Sequence, residues 1–419
     1  MEENQKHIPE GWKLTSFDNK DFFRIIGSGI KHFKGEKEYY STSSIDGNRI
    51  LFAEQLITYK NRPSRANMQP IENSVWFAKM KNTFKILKAT KREIEEVILS
   101  TGFSGIESTI VDCDYLMQIL SSAEFNSQKN LLAEGSTQEA VNNTKIKEIK
   151  FLLPEKPKEQ TQIATILTKV DEAITQTEQL IAKYTRIKTG LIQDLLTKGI
   201  DENGNIRSEE NHEFKDSPLG RIPKEWEYKT LGDNNIIELH NNKRKPISSK
   251  DRANMIGDYP YYGATGIIDM LNVFRVDGEF VLFGEDGDHF LKWVYQEQTI
   301  LTNGKFNVSN HAHIVKGTSK CSTKWIHYFF CHRDITFYLT RQGAGRFKLN
   351  KASLLSLPIL LPKSKNEQNA IIDRIEKVNE YSDNLNLRLI KLQSLKTGLM
   401  QDLLSGKVRV QLIKETANV

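Results

Sequence analysis

The sequence predicts an α+β fold: two globular α/β domains separated by two long helices that pair as an antiparallel coiled coil, the halves related by a pseudo-two-fold internal repeat. Three observations carry this expectation. Leu152 to Leu196 (LLPEKPKEQ…KTGLIQDLL) recurs without a gap at Leu360 to Leu404 (LLPKSKNEQ…KTGLMQDLL), with roughly 18 identities in about 45 positions. IPEGW at Ile8 and IPKEW at Ile222 open the two halves. Both recurring segments space their apolar residues in alternating steps of three and four, the period of a coiled-coil seam.

In chain order, residues 8–150 form a first variable block, long enough for one domain core. Residues 151–200 form a helical spacer with the seam Leu167, Val170, Ile174, Thr177, Ile181, Tyr184, Lys188, Leu191 and Leu195. Residues 201–220 are polar and contain Gly204 and Pro218, which reads as a linker. A second variable block spans 221–358, and a C-terminal helical spacer spans 359–410 with the seam Ile375, Val378, Ser382, Leu385, Leu389, Leu392, Lys396, Leu399 and Leu403. Each seam is broken by a lysine at the same place, Lys188 and Lys396. The repeat continues upstream of each helix, pairing Gly135 with Gly343 and Asn142 with Asn350.

Each helix begins after a proline and holds none in its body, so about 40 residues would span about 60 Å. Gly190 and Gly398 weaken the two helices by up to about 1 kcal/mol each relative to alanine. Two halves related by a perpendicular two-fold would lay these helices side by side and antiparallel. Ile192 and Met400 fall outside the seams, and partner helices are expected to cover them.

Composition bounds the function. The 419 residues are 38% hydrophobic and 27% charged, as in globular proteins. The longest apolar run, LLSLPILL, is too short and proline-interrupted to cross a bilayer, and MEENQKHIPEGW has no signal-peptide core, so no membrane role and a cytoplasmic location are expected. Cys113, Cys321 and Cys331 suggest reduced thiols rather than a disulfide framework. A net charge of +6 permits nucleic-acid binding, and the basic surplus lies in the variable blocks.

Those blocks carry the candidate binding residues. ITYKNRPSRANM and KMKNTFKILKATKR hold Arg62, Arg65, Lys79 and Lys81, cations suited to a phosphate backbone or a base edge. NNKRKPISSKDR, NGKFNVSNHAH and TRQGAGRFKLN hold Lys243, Arg244, Lys305, Asn307, Arg346 and Lys348. Catalytic patterns are missing: there is no P-loop, GSG at Gly27 lacks the third glycine of a dinucleotide site, and YPYYG matches a base-methyltransferase motif loosely. GEDGDH lacks EF-hand spacing, and His311 and His313 have no further ligands at zinc spacing.

The order IPxxW, variable block, LLP…EQ…KTGLxQDLL, twice over, resembles the specificity subunit of type I restriction-modification systems across essentially the whole chain. The resemblance implies two target-recognition domains that each read half of a split, asymmetric double-stranded DNA target, with the helices as spacer and docking site. It implies as partners two methyltransferase subunits using S-adenosylmethionine, and restriction subunits that translocate and cleave DNA with ATP and Mg. The chain itself is then not an enzyme and carries no cofactor or metal. Readers on one face of the duplex would engage half-sites about 34–36 Å apart. Two rival readings stay open: a DNA nuclease or methyltransferase with an unrecognised active site, and a coiled-coil scaffold that binds protein.

Overall fold

Continuous apolar runs lie at the centre of three of the four larger sheets, because a strand covered on both faces has no polar side to alternate. SVWFA, VILS and FVLFG are such runs, and every residue of the three is buried. The computed structural model describes residues 8–135, 139–342 and 346–411, apart from the side chains of residues 342 and 346. It divides into two compact units, Met1–Leu180 with Asn386–Val419, and Ile181–Leu385.

In the first unit the main strands are β1 (Trp12–Ser16), β2 (Arg24–Ile26), β3 (Glu36–Tyr40), β4 (Gln55–Thr58), β5 (Ala66–Met68), β6 (Ser74–Ala78), β7 (Ile86–Lys88), β8 (Val97–Ser100) and β9 (Phe103–Glu107). Helix α1 (Cys113–Ser121), β10 (Lys150–Pro154) and the long α2 (Pro157–Thr197) follow. The sheets run β4-β3-β8-β5 and β2-β9-β6-β7, and β1 pairs with β10. Gly105 on β9 sits opposite Trp76 on β6, where a Cβ would stand 2.8 Å from the indole. Glycine therefore leaves room for the fully buried Trp76, and burying a large apolar side chain contributes roughly 1.5–3 kcal/mol.

The second unit repeats this plan. Its strands are β11 (Glu227–Thr230), β12 (Ile237–Leu239), β13 (Ile256–Tyr262), β14 (Ile267–Leu271), β15 (Val276–Asp277), β16 (Phe280–Gly284), β17 (Thr299–Thr302), β18 (Lys305–Val308) and β19 (Ala312–Gly317). Helix α3 (Thr323–Phe330), β20 (Pro358–Leu361) and the long α4 (Lys365–Leu404) complete it. The sheets run β14-β13-β18-β15 and β12-β19-β16-β17, with β11 on β20. Each of these strands thus has its counterpart ten places on, down to the parallel pairs β3/β8 and β13/β18. The variable blocks share little sequence and one topology.

The long helices pair within each unit. In the first, Ile163 and Leu167 of α2 join Leu399, Leu403 and Leu404 of α4 in one core, and Lys396 reaches Asp171 at 2.5 Å. In the second, Leu195 and Leu196 meet Ile371, Ile372 and Ile375, and the Tyr184 and Tyr381 rings lie 4.6 Å apart. The start of one helix packs on the end of the other, so the pairing is antiparallel. Every predicted seam position is buried or half-buried. The lysine of the first seam has no matching acid, since Asn379 stands where the repeat would place the counterpart of Asp171.

Two expectations need correction. Ile192 and Met400 do not await a partner, because each packs against the core of its own unit. Exposed apolar positions on the long helices instead include Leu180, Ile187, Leu387, Ile390 and Leu395. The segment 201–220 is also more than a linker. Ile206 packs on the second unit's core, Phe214–Ser217 forms a hairpin with Gly220–Pro223, and Arg207 pairs with Glu367.

The recurring motifs find their reason at the helix starts. Glu159 accepts from Trp12 Nε1 at 3.3 Å and from Arg409 Nε and Nη2 at 2.8 and 3.0 Å. Glu367, its counterpart, accepts from Trp226 Nε1 at 3.2 Å and from Arg207. The neighbouring glutamines stitch each long helix to the domain helix: Gln160 accepts from Asp112 N, and Gln368 accepts from Ser322 N. Asp112 and Ser322 are the N-caps of α1 and α3. Gly199 and Gly406 end the long helices at φ +64° and +68°, the left-handed stop that favours glycine, and each brings the chain against the tryptophan of its unit.

Candidate nucleic-acid interface

The first unit holds a cleft of about 690 Å³ where its two sheets meet. Thr101 and Gly102, between β8 and β9, form the crossover from one sheet to the other. That crossover anchors two cations by their backbones: Thr101 N donates to Arg65 O at 2.9 Å, and Lys79 N donates to Gly102 O at 2.9 Å. Both residues line the cleft, together with Glu54, Ser41, Thr42 and Ser100. Burial lowers the Lys79 pKa, so its ammonium gains from any acceptor that enters. Among the described residues neither cation makes a side-chain ion pair.

Beneath the loop that follows β6 lies a residue the sequence did not single out. Lys129 is 1% exposed, and its Nζ donates to Ala78 O at 3.2 Å and to Thr83 O at 2.5 Å. Burial lowers its pKa to about 8. It ties down both ends of the Lys79–Thr83 loop. No pattern in SQKNLL distinguishes it from a surface lysine, and its partners lie far away in sequence.

The other first-unit candidates are engaged. Arg62 donates to Tyr59 O and stacks 4.5 Å over the Tyr59 ring, and Lys81 pairs with Glu139 at 2.8 Å.

In the second unit, Glu285 occupies the position of Lys79. Glu285 N donates to His311 O, and Leu349 N donates to Glu285 O, as Lys79 N does to Gly102 O and Val141 N to Lys79 O. Its carboxylate accepts from Arg244 at 2.7 Å and lies 3.5 Å from Lys348. These two candidates thus neutralise an internal acid. His313 is part of the same cluster, with Nδ1 2.8 Å from Asn241 Nδ2 and Nε2 2.7 Å from Leu349 O, while His311 faces Asp286 at 2.9 Å.

Asn307 requires a correction as a base-reading residue. It is 1% exposed and its amide donates to Val273 O at 2.6 Å, which holds it inside the sheet. Lys305 lies 4.6 Å over the Phe274 ring, and Lys243 is half-buried, its backbone carbonyl accepting from Arg275. The side chain of Arg346 is outside the described residues. Tyr261 of YPYYG is core: its hydroxyl donates to Lys245 O and accepts from Ile247 N.

Burial pushes the Cys113 thiol up to about 11 and those of Cys321 and Cys331 up to about 12, leaving little thiolate for chemistry. Among the described residues, no three metal-ligating side chains cluster and no helix is long and apolar enough to cross a membrane.

Fold and site together define a class: a duplicated protein whose two like-folded, two-sheet domains carry unlike side chains at a matching position and are built onto long paired helices. The type I restriction modification DNA specificity domain model matches residues 9–186 and 223–393, most of the chain, which therefore belongs to that family. A type I restriction enzyme specificity subunit of Haemophilus influenzae is 36% identical over 138 residues, 33% of this chain and 34% of that relative. The MjaX and MjaVIII specificity subunits of Methanocaldococcus jannaschii are 24% and 23% identical over 96% of this chain and 95% and 94% of theirs. Among solved structures, the S subunit from M. genitalium has a TM-score of 0.58 at 14% identity, covering 96% of this chain and 98% of that one. A chain from a type I R-M system solved for its complex assembly also scores 0.58, at 16% identity, with 96% and 100% coverage. These last two are likenesses of fold.

Proposed function

We propose that this chain is the DNA-reading subunit of a type I restriction-modification complex, in which each repeat reads one half of a split, asymmetric target. One observation supports this above the rest: two domains of the same strand order present Lys79 in one and Glu285 in the other at the matching position. One scaffold used twice with unlike side chains suits two unlike half-sites. Phosphate contacts set register while a few side chains discriminate bases.

Two methyltransferase subunits and the restriction subunits are the partners in this reading, and S-adenosylmethionine, ATP and Mg serve them. The apolar residues exposed on α2 and α4, among them Ile187, Leu387 and Ile390, suit a helical partner. The chain works as a reader, without chemistry of its own, in the cytoplasm.

Mapping methylated adenines across the host genome with and without the gene tests the reading. A gapped, asymmetric motif that disappears with the gene is expected. An unchanged methylation pattern, with the complex expressed, would refute it. If the purified chain with DNA, Mg, ATP and S-adenosylmethionine modified or cut DNA by itself, the enzyme reading would replace it.

A further inference from the structure

We infer that the cleft of the first repeat reads a G·C base pair from the major groove, with Lys79 and Arg65 donating to guanine and Glu54 accepting from cytosine. This deepens the DNA-reading role and rests on it.

In the major groove a G·C pair presents two neighbouring acceptors, guanine N7 and O6, followed by one donor, cytosine N4. An A·T pair presents acceptor, donor, acceptor. The cleft offers two cationic donors held by one turn, Thr101–Gly102, and an acid from the far wall, where Glu54 N donates to Tyr39 O at 2.9 Å. Two donors beside an acceptor match G·C. Against A·T one of the donors would face the adenine amino group.

The cleft is also stiff where it needs to be. Lys79 is fixed at its N–H by Gly102 O, at its carbonyl by Val141 N at 3.0 Å, and from below by Lys129 on the preceding Ala78 O. At Gly102 a Cβ would stand 3.1 Å from Thr42 Cγ2, so the floor admits no larger residue without movement. A small-molecule pocket is mostly apolar, whereas this lining mixes apolar surface with serine and threonine hydroxyls and the charged Glu54, Arg65 and Lys79. In the second repeat the same backbone position carries Glu285, already satisfied by Arg244, so this reading belongs to the first domain.

The test uses the full chain in its native host, with adenine methylation mapped for wild type, Arg65→Gln, Lys79→Met and Glu54→Gln. The expected result is that one G·C position of one half-site becomes degenerate in each variant while the other half-site is unchanged. Loss of one good base contact corresponds to about 5- to 150-fold less discrimination at that position. If all three variants keep the complete wild-type motif, the inference is overturned. A uniform fall in methylation with the motif intact also overturns it, since that is the signature of a phosphate contact. Should Lys79→Met abolish methylation by misfolding, the exposed Arg65 decides, because its replacement leaves the fold intact. If wild type itself shows no gene-dependent gapped motif, the specificity reading falls and takes this inference with it.

Discussion

Glu159 and Glu367 show how much one residue can hold together. Each accepts from a tryptophan indole and an arginine, and Glu159 is 2% exposed. Removing one member of such a cluster leaves buried polar groups unpaired, which costs more than the bonds contribute. Glu159→Ala should therefore lower stability by about 2–4 kcal/mol in chemical denaturation of the full chain. Arg409→Met should cost less, about 1–2 kcal/mol, because Arg409 is partly solvated.

A second residue-scale effect concerns pH. His327 is buried beside Thr299, and burial lowers its pKa to about 4. Burial lowers His289 and His313 as well. The unfolded chain protonates His327 near pH 6.5 and the folded chain resists until about pH 4. The His327 contribution, on the order of 3 kcal/mol, is thus fully present above about pH 6.5 and is lost as pH falls toward about 4, and His289 and His313 act in the same direction. Denaturation midpoints measured across that window should fall with acid, and His327→Gln should flatten the slope.

At the scale of elements, the proposed reading makes the paired helices a spacer of defined pitch. Adding four residues to α2 after Leu180 and four to α4 after Leu385 extends each by about 6 Å and by roughly one turn, so side-chain orientation is kept. The gap of the methylated motif should then widen by one or two base pairs with both half-sites retained. A gap of unchanged length would show that the helices do not set the spacing. The seam lysines belong to this scale too. Lys396 has Asp171 as its partner, whereas the first seam has an asparagine where that acid would stand, so the two crossings are not chemically equivalent.

Over the whole molecule, the duplication explains why the variable blocks tolerate different sequences. Both keep buried runs at the same strands and N-caps at the same helix starts, Asp112 and Ser322, while the side chains beside the cleft are free to differ. The segments after the long helices play matching parts, Arg207 closing the second unit and Arg409 the first.

The two long helices, their seams and the division into halves were legible because helical periodicity and repetition are written in neighbouring residues and survive substitution elsewhere. The motifs IPxxW and EQ were visible as recurrences, yet their meaning was hidden, since Trp12 and Glu159 are 147 residues apart. The same distance problem governs the candidate site. A run of lysines and arginines reads alike whether each is free or paired, so Arg65 could not be told from Arg62, nor Lys79 from Lys81. Asn307 looked polar and available, but its strand turns it inward. The repeat, the helices and the family pattern depend on local spacing and so are written in the chain. Which charges neutralise one another and which face an open cleft depends on strands brought together across the fold, so that only folding sets it.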